Sequence, residues 1–394
     1  MSVTTGSGHV FGRVRPSHDG GFQLHGQQVR VTTFRELPAP TGAAPFRLDV
    51  KDVLSADAYQ QILDTKRLVF HFNGDIGGID FALPQELVAS GMEADCQIPG
   101  EQPPQFLYLV GDCVYFNGEA ARYYAQFYQP YEHYPAPIFA VPGNHDGENL
   151  EGQQSLDGFV RNFCASAPGI HRSEAQDAPR TAMTQPNVYW TLLTPLVSIV
   201  GLYSNVPEGG EIRDPQTQWL IEELRSLPAD LPIIVTLHHP VYSADTYHSG
   251  SQSMKATLEH AATAAGRHPD LVVAGHVHDY QRLTKTLSDG TQVPYLVTGA
   301  GGYHNLHTIM KVNGQRLITP VQYTAEGSEV ITLESYVDDR WGFLRFEVDE
   351  TTFTGKYYTV PRPQEPFSKG NQLVDRFDYD WHTRRYLPNT LAMG

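Results

Sequence analysis

Five short polar motifs, each placed directly after an apolar run, punctuate residues 74 to 278. They read Gly74-Asp75-Ile76-Gly77, Gly111-Asp112-Cys113-Val114-Tyr115, Gly143-Asn144-His145-Asp146, Val235-Thr236-Leu237-His238 and Gly275-His276-Val277-His278. The apolar runs, at 68–72, 106–110, 138–141, 233–237 and 271–274, are short, continuous and bounded by turn residues. Runs of that length are too short for helices and fit strands buried on both faces. Such strands need covering layers on both sides, which commits the chain to an α/β architecture with its polar clusters at the C-terminal edge of the sheets. Two carboxylates, a phenol, an amide and three imidazoles then share one edge: Asp75, Asp112, Tyr115, Asn144, His238, His276 and His278. Seven donors can hold two cations of borderline hardness with positions left for water and substrate. A closed four-ligand structural zinc site does not look like this.

The order and identity of these motifs resemble the purple acid phosphatases, a branch of the calcineurin-like metallophosphoesterases. Most of that superfamily opens with Asp-x-His, whereas this chain has Asp75-x-Gly77 and carries Tyr115 three residues after Asp112. Both features belong to the purple acid branch, and the resemblance runs roughly from residue 67 to residue 360. It implies two facing mixed β-sheets flanked by helices, with a dinuclear site at the strand C-terminal ends. Carried over residue by residue, it gives one metal Asp75, Asp112, Tyr115 and His278. The other takes Asp112, Asn144, His238 and His276, so Asp112 bridges. A phenolate favours Fe(III) at the Tyr115 site, and the Asn and His ligands suit Fe(II), Zn(II) or Mn(II) at the second.

Beside the ligands, His145 is the candidate proton donor, with Asp146 expected to orient its other ring nitrogen. Asn144 is also expected to contact substrate. His248 stands ten residues after His238, near the offset at which plant members place substrate-contacting histidines. His239 replaces the tyrosine or serine usual in the family and is a second candidate contact. Gly299 to Gly302 resembles a loop that closes the site, and His304 and His307 are expected at the rim. Each of these residues alone has a plainer reading: Asp after Gly usually caps a turn, Tyr after a strand is usually core, and a loop histidine is usually solvated. The ordered set decides for the ligands.

The expected reaction is hydrolysis of phosphate esters, monoesters in particular, by metal-activated water. Alternatives on the same site are a phosphodiesterase or nucleotidase, and from other classes a non-catalytic phosphate- or metal-binding protein or a redox-active iron site. No Gly-x-Ser-x-Gly and no Walker motif supports a serine hydrolase or P-loop enzyme. The net charge of −16 argues against nucleic acid or an anionic membrane as main partner; the resemblance implies a small phosphate ester as substrate. No apolar stretch is long enough to span a bilayer. Met1 to Gly8 lacks the regions of a signal peptide; with only Cys96, Cys113 and Cys164 there is no disulfide framework. A cytoplasmic location is the default expectation, with export open if a leader was removed.

Three segments are expected: a β-rich extension at 1–45, the catalytic domain at 46–360, and a tail at 361–394 lying across the surface. Helices are expected at 56–67 after Ser55, after an Asp214 N-cap with Pro215 in the first turn, and at 253–265 ending at Gly266. Strands at 293–298, 329–333, 342–348 and 353–360 are expected to complete the second sheet. The long irregular stretches 165–187 and 299–327 are candidate rims over the site.

Overall fold

In the computed structural model, which describes residues 33–150, 152–325 and 329–388, the five apolar runs are strands. They span Arg67–Asn73, Leu107–Val110, Ile138–Val141, Ile233–Leu237 and Leu271–Ala274. Alternation sends their side chains into two different cores. Leu107 and Leu109 pack with Val88 and Met92 of the helix Leu83–Asp95, while Tyr108 and Val110 join the other core with Phe70, Phe139, Trp190 and Ile234. Tyr108 stacks on Trp190 across that inner layer. Burying a large side chain of this kind contributes about 1.5–3 kcal/mol, so hydrophobicity on both faces locks each strand inside its sheet.

Among the described residues there are two large sheets and one small hairpin. The first runs, in spatial order, Arg385–Tyr386, Gln372–Asp380, Thr352–Thr359, Gly342–Asp349, Arg67–Asn73, Leu107–Val110 and Ile138–Val141. Its last three strands are parallel and the others antiparallel. The second runs Arg47–Asp49, Trp190–Leu193, Ser198–Gly201, Ile233–Leu237, Leu271–Ala274, Gln292–Thr298, Tyr280–Thr286, Val330–Val337 and Val321–Thr324. Ser198–Gly201 through Gln292–Thr298 form its parallel centre. Parallel neighbours end at the same edge, and that edge carries the motifs.

Contrary to the expectation that they complete the second sheet together, the late strands divide between the two sheets. Gln292–Thr298 and Val330–Val337 join the second sheet, whereas Gly342–Asp349 pairs antiparallel with Arg67–Asn73 and brings Thr352–Thr359 into the first. The segment after residue 360 is not a surface tail either. Gln372–Asp380 extends the first sheet, buries Phe377 and Tyr379, and places Asp375 in a bidentate pair with Arg282 at 2.8 and 2.9 Å. Period-two alternation of Asp375, Phe377 and Tyr379 drives this pairing.

Helix boundaries follow capping chemistry. Ser55 accepts from Ala58 N at the start of Ala56–Thr65, and Ser251 accepts from Met254 N at the start of Gln252–Ala265, which ends at Gly266 in the left-handed region. Asp214 is not a cap. Pro215 takes that position without a side-chain bond, and Gln216 instead turns inward to bond both N and O of Tyr203. The run at 29–33 lies outside the described residues except Thr33, and 34–45 contains no strand. It packs through Thr41 and Gly42 N–H groups on Pro186 O and through Arg35 N on Asn205 Oδ1. Stretch 165–187 is largely irregular, while 299–327 contains the hairpin strands Lys311–Val312 and Gln315–Arg316 and the edge strand Val321–Thr324. No helix among the described residues is long and apolar enough to cross a membrane.

Candidate metal centre

The motifs begin where the parallel strands stop. Asp75 N–H bonds Gly111 O, Ile76 N–H bonds Asp112 O, and Gly275 N–H bonds His238 O, so the strand ends are stitched together. Asp75, Asp112 and His276 all have left-handed backbones, at φ of 57°, 52° and 68°. Non-glycine residues reach that region at a cost of about 1–3 kcal/mol each when it is strained. Three of the seven candidate donors therefore sit on sparsely populated backbone, which Asp and His tolerate better than most non-glycine residues. Gly143 makes room for one of them: a Cβ there would lie 2.1 Å from Asp112 Oδ1.

The seven side chains come together as two groups of donor atoms, all at most 3% exposed. In the first, Tyr115 Oη lies 3.2 Å from Asp75 Oδ1 and 3.3 Å from His278 Nε2, and these last two are 3.3 Å apart. In the second, His238 Nε2 lies 2.9 Å from Asn144 Oδ1 and 3.3 Å from Asp112 Oδ2, with His276 Nδ1 3.1 Å from Asn144 Oδ1. Donors about 2.0–2.1 Å from one tetrahedral ion would be separated by about 3.3 Å. The outer nitrogens are already engaged: His238 Nδ1 faces Val110 O at 2.9 Å and His278 Nδ1 faces Asn305 O at 2.8 Å. With the proton on that side, each ring turns a lone pair inward. Asp112 Oδ2 is buried without a hydrogen-bond partner among the described residues, while Oδ1 accepts the His145 N–H at 2.9 Å. The donor set and the orphaned oxygen fit a cation pair.

Electrostatics agree. Burial opposes the charge on Asp112, but His238 and His145 override it and hold the carboxyl below its usual range. Burial likewise opposes charge on His238, and Asp112 nonetheless lifts it to about 9. The Tyr115 phenol is pushed well up, first by burial and then by Asp75 and Asp112. Without a strongly charged cation beside it, this phenol stays protonated.

His145 is fully buried, 4.7 Å from the Tyr115 ring, with Nδ1 2.9 Å from Phe116 O. That carbonyl, rather than Asp146, orients the imidazole. Asp146 turns back along the short helix Asn144–Gly147 and accepts the N–H groups of Gly143, Cys113 and Val114 at 2.9–3.1 Å. It ties two motifs together, and burial followed by Asp112 pushes its carboxyl up to about 7.

His239 and His248 both reach the site. His239 Nδ1 is 2.8 Å from Ser204 Oγ and its ring is 4.3 Å from that of His276. His248 lies 4.9 Å from His276, measured between ring centres. With Glu208, Tyr247 and Gln252 they line a cleft of about 330 Å³ beside His276. The glycine loop packs back on the strand ends: Gly299 N–H bonds Asp279 O and Gly301 N–H bonds Gly74 O. His307 is not at the rim: it is 2% exposed and lies between the rings of His248 and His278. Sequence reasoning also missed Tyr303, which stacks on Tyr115 at 4.2 Å, and Asp245, 3.4 Å from His307. Tyr303 is separated by the glycine loop from the strand before it, and Asp245 follows no apolar run, so neither carried the signal that marked the other residues.

Fold and site together define a two-sheet metallophosphoesterase. Residues 70–280 match the model of the calcineurin-like phosphoesterase family, and the chain belongs to that family. Purple acid phosphatase 5 of Arabidopsis thaliana is 31% identical over 105 residues, covering 22% of this chain and 26% of its own. Purple acid phosphatase 21 of the same plant is 30% identical over 158 residues, covering 39% and 35%. The chain thus spans about a quarter to a third of the length of these curated relatives. Among solved structures, purple acid phosphatase PPD1 from yellow lupin (Lupinus luteus) superposes with a TM-score of 0.57 at 14% identity, over 80% of this chain and 54% of that one. GAP50, described as the anchor in the inner membrane complex of Plasmodium, gives 0.53 at 16% identity, over 80% and 89%. These structural likenesses show the fold.

Proposed function

We propose that the protein hydrolyses phosphate esters, monoesters in particular, at a dinuclear centre held by Asp75, Asp112, Tyr115, Asn144, His238, His276 and His278. The observation that supports this most is the pair of donor groups with edges of 2.9–3.3 Å, with a buried imidazole beside them. Asp112, with a ligand atom within 4.8 Å of those of Asp75 and His238, is the residue that would bridge the two groups; Fe(III) suits the Tyr115 side, and Fe(II), Zn(II) or Mn(II) suits the other. Bound there, the cation pair supplies charge that acidifies a water nucleophile and neutralises phosphoryl oxygens. The chain's own part is positional. Phe116 O fixes the His145 ring through Nδ1, so the opposite nitrogen is the one placed to give a proton to the leaving oxygen. His239 and His248, beside the cleft, are placed to contact the ester.

The test is metal analysis of protein purified without chelator, followed by a screen of phosphomonoesters and diesters from acidic to neutral pH. Two metals per chain and faster turnover of monoesters support the reading. Two metals with diester preference would redirect it to a phosphodiesterase, and metal binding without turnover would make the protein a binding scaffold.

Tyr115→Phe reports on the first group separately. Ferric protein should show a visible charge-transfer band, purple or pink, that the variant loses. Metal content should fall less than colour, since Asp75, Asp112 and His278 remain. Wild type loaded with Fe(III) yet lacking the band, or a coloured variant, would make Tyr115 a core aromatic only.

A further inference from the structure

Beside the seven donors lies a second constellation that none of them belongs to. We propose that Asp245, His248 and His307 hold a third cation, a divalent ion of borderline hardness such as Zn(II) or Mn(II). One donor atom from each residue lies within 4.8 Å of the other two. All three side chains are buried, at 3%, 7% and 2% exposure. Two imidazoles and one carboxylate suit Zn(II), Mn(II) or Fe(II) and disfavour Mg(II) and Ca(II), which prefer oxygen donors throughout.

Asp245 is the centre of the argument. Its Oδ2 accepts the N–H groups of Tyr247 and His248 at 2.9 and 3.0 Å, so the carboxylate is fixed before any ligand arrives. Its Oδ1 is buried and accepts no hydrogen bond among the described residues. A buried carboxylate oxygen left in that state is costly unless something positive meets it. Asp245 Oδ2 and His307 Nδ1 are 3.4 Å apart. That is long for a charge-assisted hydrogen bond, usually about 2.7–2.9 Å, and close to the separation of about 3.3 Å between donors sharing one ion.

The scaffold around the triad is built from two loops. Thr246 N–H bonds Thr308 O at 3.0 Å and Met310 N–H bonds Ala244 O at 2.9 Å, which ties the segment carrying Asp245 and His248 to the one carrying His307. The His248 and His307 rings stack at 5.3 Å with an interplanar angle of 16°. Glu208 Oε1 lies 3.6 Å from His248 Nδ1 and adds negative potential. His307 is 4.5 Å from His278, and His248 is 4.9 Å from His276, between ring centres. A cation in the triad would therefore neighbour the dinuclear centre on the side of the cleft.

The experiment counts metal on the full chain. Chelator-stripped protein is reloaded with Mn(II) or Zn(II), desalted and assayed for metal per chain, with a calorimetric titration in parallel. Wild type should hold close to three ions. Asp245→Asn, which keeps an oxygen for the Tyr247 and His248 N–H groups, and His307→Ala should each hold close to two and lose one binding step, with unchanged circular dichroism. Two ions on wild type would overturn the third site while leaving the dinuclear reading intact. Fewer than two would overturn both, and a third ion retained by both variants would place it elsewhere. The wild-type count decides even where a variant fails to fold.

Discussion

Asp112→Asn is expected to lose most bound metal and nearly all hydrolysis while the sheets stay folded. The carboxylate is the side chain proposed to bridge the two donor groups: one of its oxygens lies within 4.8 Å of ligand atoms of both Asp75 and His238, Oδ2 lies 3.3 Å from His238 Nε2, and Oδ1 accepts the His145 backbone N–H. An asparagine of the same shape can keep the second bond. It removes the negative charge that sustains the His238 pair and turns an N–H or a neutral oxygen toward the cations. Changing a residue that only supports a ligand typically costs about 10–100-fold, so loss of a shared ligand should exceed about 10³-fold in kcat/KM. Metal-linked stability should fall with it, because an ion that binds only the native state raises the melting temperature. Chelator-stripped variant should melt somewhat below stripped wild type, because the buried pair with His238 is lost, yet still cooperatively, since Leu109, Tyr108 and Ile138 beneath the site are untouched. A variant with two metals per chain and wild-type turnover would remove Asp112 from the centre.

How much of this was readable in the sequence depended on whether a residue followed a buried strand. The strands Ile138–Val141, Ile233–Leu237 and Leu271–Ala274 are read from the sequence with their observed boundaries, because runs of four or five apolar residues closed by Pro, His or Gly are too short for a helix. The seven candidate donors follow such runs, and the structure brings their side chains together in two neighbouring groups. The pairing of late strands was not readable. Gly342–Asp349 joins Arg67–Asn73 across some 270 residues of chain, a choice made by shared burial of Phe346, Phe70 and Phe72 rather than by local pattern. The strand Gln372–Asp380 was hidden for another reason: its Asp and Arg content looks like surface until Arg282 is found opposite Asp375.

Side-chain direction was the other blind spot. Adjacency in sequence suggested that Asp146 would hold His145, yet neighbouring residues on a helix point apart, and Asp146 serves backbone N–H groups instead. Asp245 and His307 are 62 residues apart and meet because two loops pair. No spacing in the sequence encodes that meeting.

The correction to Asp146 changes what His145→Ala should reveal. If Asp146 polarised His145, removing either would give the same defect; with Phe116 O in that role, the two variants should differ. His145→Ala should keep both metals, since neither donor group uses its side chain, and lose about 10²–10⁴-fold in rate on esters with poor leaving groups, the range for a positioned general acid. Esters with activated leaving groups need little protonation, so their loss should be much smaller. Asp146→Asn should act through geometry instead. It weakens the bonds that bind the Cys113 and Gly143 backbones together, shifting Asp112 and Asn144, so both ester types should slow alike and metal content should drop. Comparing the two variants on a leaving-group series, with metal counted in each, separates proton transfer from positioning. Equal losses on both ester types for His145→Ala would assign His145 to substrate binding and leave the proton to another group.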